Sequence, residues 1–565
     1  MTKEQIFFLT AGLILAAVVI YMLVTSKTRK RRRLLGRVRA LYGQVPNREY
    51  SSEELEKIRS FFDAVHEPDR FAIDDITWND LSMDRIFIAM NHTFSSVGEE
   101  VLYAMLREPV FDEAELRERD RLAKFFAENT ALREELSVDF SMIGRTRKYA
   151  LIRFLSNFRE LRLKPDWIHL LPVALLVVAV VLIITVPQMG VLALITAVVV
   201  NLYTYYKQKG DVEPYYYSLS AMTYLTDSAL KIARHDAPEL RKYTEKLLQD
   251  TANVRSLRRS LGLLGGSASG GTAGDILSVF LDYIRMLTHF DFIVFNRMVR
   301  LVRNEEDRLI SLMKTMGYIE AMIAIASYRE SLPFYCTLEH SGKEELMLRN
   351  GYHPLLKAPV ANSVETERPI LITGSNASGK STFLKMTALN ALFAQTVNTV
   401  CAGSIRMPFY RIYSSMMLTD SLETNESYYM VEIRSIKRIM DAAEGEPRAL
   451  CFVDEVLRGT NTVERIAASS QILKSLAEQH VMAFAATHDI ELTDMLANHF
   501  DNYHFEEEIV DGSIHFSYKL LDGKAHTRNA IRLLSIMGYD ESVIESAEQT
   551  AEHFMEEGTW PVLQK

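Results

Sequence analysis

Eight consecutive residues, Gly374, Ser375, Asn376, Ala377, Ser378, Gly379, Lys380 and Ser381, fit the pattern GxxxxGK[ST]. Residues of these types at this spacing suit phosphate chemistry. The glycines let the backbone wrap closely round phosphates, so that successive N–H groups and the N-terminus of a following helix face negative charge. Lys380 is expected to reach the β- and γ-phosphates and Ser381 to ligate Mg²⁺, with Thr382 completing the binding set. Further on, Ala449-Leu450-Cys451-Phe452-Val453 reads as a buried strand ending in Asp454-Glu455. Asp454 is expected to hold the Mg²⁺ shell, and Glu455 to polarise an attacking water as general base. A third apolar run, 483–487, ends in His488, which is placed to contact the γ-phosphate. Glu455, His488 and Lys380 form the expected catalytic set for binding and hydrolysing a nucleoside triphosphate, with ATP and Mg²⁺ as the implied cofactors.

Such a set needs rigid elements behind it. Pro369-Ile370-Leu371-Ile372-Thr373 is a short apolar strand leading into the loop, and Thr382, Phe383, Leu384, Lys385 and Met386 open a helix directly after it. From about Leu346 to Glu545, short β-type runs alternate with helical stretches, which predicts an α/β domain. Upstream, residues 51–160 and 211–350 read as helical, interrupted by the glycine- and serine-rich stretch 265–274, a flexible loop by composition.

Two regions are of membrane type. Residues 6–24 are almost unbroken apolar sequence, long enough as a helix to span a bilayer core. The basic run Lys27, Arg29, Lys30, Arg31, Arg32, Arg33, Arg37 and Arg39 follows it. A cleaved signal peptide carries its charge before the apolar run, so the order predicts a signal anchor with the remainder cytoplasmic. The competing reading of the basic run is a DNA-binding or nuclear-localisation patch. A second block, 167–206, splits at Pro187-Gln188-Met189-Gly190, a turn signal, into two halves each long enough to span. Arg162 and Lys164 before it and Lys207 and Lys209 after it put both ends in the cytoplasm, and Trp167, Tyr203, Tyr205 and Tyr206 stand where interfacial aromatics do. The alternative is a buried core hairpin of a soluble domain.

Composition narrows the remaining classes. A net charge of −9 argues against a globally basic nucleic-acid binder, so any DNA contact needs local patches. Candidates are Arg255, Arg258 and Arg259 near the glycine-rich stretch, and Arg297, Arg300 and Arg303 at helical spacing; a solvated helix face is the favoured reading of both sets. Three scattered cysteines, Cys336, Cys401 and Cys451, give neither a disulfide framework nor a zinc site.

Taken in order, the motifs resemble the MutS family, the ABC-type ATPases of DNA mismatch recognition. Asp454-Glu455-Val456-Leu457-Arg458-Gly459-Thr460-Asn461-Thr462 is similar to the family's DE-x-x-RGT-S/N-T segment. Ala486-Thr487-His488 matches its ATH, and Ser427-Tyr428-Tyr429-Met430-Val431-Glu432 resembles its signature loop S-T-F-M-x-E. Gly351-Tyr352-His353-Pro354 resembles the R-H-P entry to its ATPase domain, and Asp522-Gly523 with the Asn529-Ala530 region its D-G…S-Y-G stretch. Weaker likeness runs upstream, from Asn91 to Val110 and from Ile319 to Tyr335.

The resemblance implies a fold class: an α/β P-loop (ABC-type) ATPase domain preceded by an all-α core and lever region, here with three transmembrane helices. The expected divisions are an anchor at 1–26, a basic juxtamembrane linker at 27–69, a core-like helical region at 70–166 and a transmembrane hairpin at 167–206. A lever-like region at 207–345, the ATPase domain at 346–545 and a tail at 546–565 complete the chain. The resemblance also implies a homodimer whose two ATPase domains share their sites, Ser427 of each capping the other's nucleotide, with Val360 and Tyr518 sandwiching the adenine. It implies DNA, mismatched or branched, as a partner. Departures from the family pattern are the membrane helices, the lack of a counterpart to the mismatch-reading N-terminal domain, and Asn425 where the signature loop usually has glycine. Phe126-Ala127-Glu128 sits in a charged helical context unlike the mismatch wedge. The sequence thus also admits an ATP-driven membrane transport or remodelling protein, or a tethered scaffold that binds no DNA.

Overall fold

A computed structural model describes residues 28–145, 150–235, 237–252, 283–375, 378–416, 428–479, 481–510, 513–525, 531, 534 and 538–562. The apolar run 6–24, the glycine-rich stretch with Arg255, Arg258 and Arg259, and Asn376, Ala377, Asn425, Ser427, Asn529 and Ala530 lie outside the described residues. The chain divides into two compact units. One comprises Met1–Glu67, Met90–Ala104 and Arg121–Ser331; the other comprises Pro68–Ala89, Met105–Asp120 and Leu332–Lys565.

The second unit holds the strands, in chain order β1 (Leu338–His340), β2 (Leu346–Gly351), β3 (Asn362–Thr366), β4 (Ile370–Thr373), β5 (Ser404–Met407) and β6 (Arg411–Ser415). They continue with β7 (Ala449–Asp454), β8 (Met482–Thr487), β9 (Asp501–His504), β10 (Glu507–Val510), β11 (Ser513–Phe516) and β12 (Leu521–Asp522). Six form one sheet in the order β12-β9-β4-β8-β7-β6, parallel except for β12, which runs antiparallel to β9. Every residue of β4, β7 and β8 is buried. Strands covered on both faces need continuous apolar runs, and Ile-Leu-Ile, Ala-Leu-Cys-Phe-Val and Met-Ala-Phe-Ala-Ala supply them. Cys451 is one of these buried residues. A second sheet, β1-β5-β2-β3, and the hairpin β10-β11 stand beside this one. Strand structure thus begins at Leu338, ahead of the expected change at Leu346. β1 is three residues long and is held by pairing with the distant β5, which no local pattern reveals.

The first unit is helical. Its long helix Glu306–Ser331 packs closely enough on residues 97–101 that Gly317 faces Val97 and Val101 with no room for a side chain. That helix is apolar and long enough to cross a membrane, yet 78% of its apolar window is buried inside the protein, so it serves as core. Asp166–Thr185 and Pro187–Val212 also have the length and composition, with only 17% and 22% of their windows buried. They form the expected helical pair, with two differences. The chain turns at Val186, and Pro187 to Gly190 already belong to the second helix, because proline is favoured in the first turn, where its missing N–H costs nothing. The second helix also runs on to Ile232, through Gly210 and Pro214.

Candidate functional site

The parallel sheet brings the chemistry-bearing residues to one edge. In register, Thr373 of β4 lies beside Thr487 of β8, and Asp454 of β7 beside Ala486 of β8. The three strands therefore end together, and Gly374, Glu455 and His488 leave from adjacent tips, where open α/β sheets place their ligands.

The loop after β4 is tightly wound. Gly374 has φ 147° and Gly379 φ 115°, and a Cβ on Gly374 would stand 2.6 Å from the carbonyl oxygen of Phe505. Only glycine is comfortable there. Lys380 is the first residue of the helix Lys380–Thr396, and its side chain folds back over the loop: Nζ donates to the carbonyls of Gly374 at 2.7 Å and Ser375 at 2.9 Å. Burial lowers its pKa to about 8, against the opposing pull of Asp454 and Glu455. Ser375 Oγ donates to Glu507 at 2.7 Å. Ser378 is buried and its Oγ has no hydrogen-bond partner among the described residues. Ser381 and Thr382 are exposed on the first turn of the helix.

Asp454 is buried, and its Oδ1 has no hydrogen-bond partner among the described residues. A buried carboxylate oxygen without a donor is a place for a cation. Glu455 adopts φ 58°, its N–H donating to Ala486 O at 2.9 Å, so the side chain turns off the strand direction toward His488. His488 Nε2 lies 2.6 Å from Glu455 Oε1, and Arg458 Nε lies 2.7 Å from Oε2. Burial pushes the Glu455 carboxyl up, but the His488 hydrogen bond and the charges of Arg458, His488 and Lys380 outweigh it, and the net direction is down. Both ring nitrogens of His488 lie 3.5 Å from Lys380 Nζ.

Beside the loop is a cavity of about 350 Å³ whose lining includes Gly379, Thr382, Val360, Tyr518, Phe505 and His353. Val360 and Tyr518, far apart in sequence, thus share one cavity with the loop. Tyr518 has φ 52° and hands its carbonyl to Asn362 Nδ2 at 2.9 Å, which fixes the ring's approach. His353 is pushed down to about 4, chiefly by burial.

Lys380, Asp454, Glu455 and His488 are therefore gathered with the described loop residues. Of the described arginines proposed for DNA, Arg300 pairs with Asp166 at 2.6 Å and Arg303 donates to the carbonyls of Phe158 and Leu161; Arg297 is exposed. Phe126 is fully buried, as a helix-core residue. Two residues that the sequence shows only as members of motifs, with no role, join the site. Arg458 grips Glu455, and the three- and four-residue spacing from the carboxylate pair was the available signal. Glu432 accepts the N–H of Arg458 at 3.1 Å, so the helix Tyr428–Asp441 holds the backbone that follows the carboxylates.

The segment that carries these residues is similar to known proteins. The family description MutS domain V matches residues 370–555. A DNA mismatch repair protein MutS of Thermus thermophilus is 32% identical over 209 residues, covering 36% of this chain and 26% of the relative. That of Lactobacillus delbrueckii subsp. bulgaricus is 28% identical over 284 residues, covering 48% and 33%. That of Lactococcus lactis subsp. cremoris is 29% identical over 255 residues, covering 43% and 30%. The chain spans about a quarter to a third of the length of the curated relatives it matches.

Proposed function

We propose, for a chain that belongs to the MutS family through its residues 370–555, that it is a membrane-anchored P-loop ATPase of ABC type that couples ATP binding and hydrolysis to gripping DNA. The observation that carries the ATPase reading is the convergence at one sheet edge of a glycine-wound loop, Lys380, a buried Asp454 with an open oxygen, and the Glu455–His488 pair.

In this reading the triphosphate lies along residues 374–382 with its adenine between Val360 and Tyr518. Lys380 leaves the loop carbonyls for the β- and γ-phosphates. Asp454 Oδ1 and the Ser381 hydroxyl hold Mg²⁺, which when bound neutralises phosphate charge. Glu455, kept ionised, accepts a proton from the attacking water, and His488 orients it from the other side. Ser427 of a second copy caps the nucleotide, making the site a property of a homodimer.

The membrane reading is supported by the outward-facing Leu170, Leu171, Val177, Val181, Ile184 and Leu192 of the helical pair, an apolar surface out of place in water. The ATPase region then faces the cytoplasm. The DNA reading rests on the names of the relatives alone.

One experiment addresses the whole proposal: steady-state ATP hydrolysis by the full chain in lipid nanodiscs, with and without duplex, mismatched and branched DNA, beside Glu455→Gln. Magnesium-dependent hydrolysis that Glu455→Gln reduces by about 10²-fold or more is expected, with ATP binding kept. A Glu455→Gln protein as fast as the parent ends the assignment of the base. A rate indifferent to every DNA ends the DNA assignment and leaves the ATPase standing.

A further inference from the structure

The first unit contains a cavity of about 290 Å³, built from residues 37–50, 91–94, 133–145 and two positions of the helix Glu306–Ser331. Four guanidinium groups line it, those of Arg37, Arg48, Arg133 and Arg145, and no Asp or Glu is among its lining residues. Glu54 and Glu99 meet Arg48 and Arg145 from behind, which leaves the four guanidinium groups in excess of the carboxylates paired with them among the described residues. We propose that this cavity binds a phosphomonoester, through bidentate hydrogen bonds from these arginines.

The disposition of each arginine supports this. Glu99 stands behind the wall, its Oε2 3.0 Å from Arg145 Nε and 3.5 Å from Arg48 Nη1. Arg48 also meets Glu54 at 3.1 Å and lies over the Tyr50 ring. Arg133 donates to the carbonyls of Phe126 and Ala127 and lies 3.6 Å over the Tyr42 ring. Carbonyls and rings orient a guanidinium without cancelling its charge. Arg37 is paired with no carboxylate among the described residues. Of the other titratable groups nearby, His92 is pushed down to about 4 by burial and so is neutral, Tyr50 is pushed up to about 12, Glu330 packs against Gly43, and Glu320 lies behind Phe94. Glu320 caps the backbone of Phe94 and Ser95 and is raised to about 7 by its burial.

The balance defines the ligand. Four guanidinium groups face the carboxylates of Glu54 and Glu99 and the buried Glu320, whose carboxyl burial pushes up. The excess lies between one and two positive charges, which a phosphomonoester at roughly −1.5 to −2 matches better than a monocarboxylate. Gln44 and Asn47 add neutral donors at the rim, and Val38, Leu41 and Phe94 an apolar wall for the esterified body. The ligand can be soluble, such as a nucleoside monophosphate, or a lipid with a phosphomonoester headgroup, since the basic helix over residues 28–41 forms part of the wall.

The test uses the full chain in detergent carrying Lys380→Ala, which removes the phosphate affinity of the glycine-wound loop. Adenosine monophosphate, inorganic phosphate and short-chain phosphatidic acid are titrated separately by calorimetry, with phosphatidylcholine as the lipid control. Saturable binding of a soluble or lipid phosphomonoester is expected, weakened about tenfold or more by Arg37→Gln and by Arg145→Gln. Binding by adenosine monophosphate identifies a soluble ligand, and binding by phosphatidic acid alone a lipid one. Arg37 is exposed, so its substitution leaves the fold intact even if loss of Arg145 strands Glu99. No binding of any of the three, or binding that Arg37→Gln leaves unchanged, overturns the proposal.

Discussion

His488 Nε2 lies 2.6 Å from Glu455 Oε1, while Arg458 holds the other carboxylate oxygen at 2.7 Å. Burial alone pushes the Glu455 carboxyl up, and these neighbours reverse the direction. Removing the imidazole therefore leaves burial less opposed, and the carboxyl pKa rises. A base with a raised pKa stays protonated to higher pH, so the acidic limb of the pH–rate profile of His488→Ala is expected to move toward neutrality. Single-turnover hydrolysis from acidic to mildly alkaline pH measures it. A profile that falls uniformly, with no displaced limb, would show that His488 acts on the phosphate and not on Glu455.

Lys380 gives the opposite limb. Its pKa in the nucleotide-free protein is lowered to about 8, mainly by burial. A bound triphosphate favours the ammonium, so the pKa with ATP bound is higher. Affinity is then full below about pH 8 and falls by up to about tenfold per pH unit above it, until the bound-state value is passed. Equilibrium ATP binding, measured at steps from neutral pH to about two units above the nucleotide-free value, tests this. Lys380→Arg, whose guanidinium stays protonated throughout, is expected to bind more weakly but without the alkaline decline.

Tyr518 and Val360 face one cavity beside Gly379. Stacking of a base on an aromatic ring contributes on the order of 1–3 kcal/mol. Tyr518→Ala is expected to raise KM for ATP by about tenfold or more with little change in kcat, and Tyr518→Phe to keep both. Equal loss in kcat and kcat/KM would place the residue at the phosphates and not at the base.

The strands that carry the site were legible because β4, β7 and β8 are buried on both faces and so are written as unbroken apolar runs. Their tips carried readable chemistry for the same reason: a polar residue after such a run marks the sheet edge. What joins the tips was not legible. The Glu455–His488 contact depends on β8 lying beside β7 and on the positive φ of Glu455, neither of which has a local signature. Arg458 read as part of a motif without a partner. The arginine-lined cavity is assembled from four separate stretches of chain, each of which alone looks like a solvated basic helix or a turn.

Gly317 tests the packing of the helical unit. A Cβ built there stands 2.5 Å from the carbonyl oxygen of Val97 and collides with the side chain of Val101. The carbonyl belongs to a helix and cannot swing aside, and both neighbours are buried to 7% exposure or less. Alanine has the higher helix propensity by roughly 1 kcal/mol, so on propensity alone Gly317→Ala stabilises. Overpacking of a close-packed core costs about 1–3 kcal/mol and acts against it. The steric term wins here because the contact is with backbone. Gly317→Ala is therefore expected to lower the midpoint of thermal unfolding, while Gly210→Ala, where a Cβ meets nothing within 4 Å, is expected to leave it unchanged or raise it. Differential scanning calorimetry of the two variants in one detergent decides between propensity and packing. A Gly317→Ala midpoint at or above the parent's would show that the two helices can part to accept the methyl group.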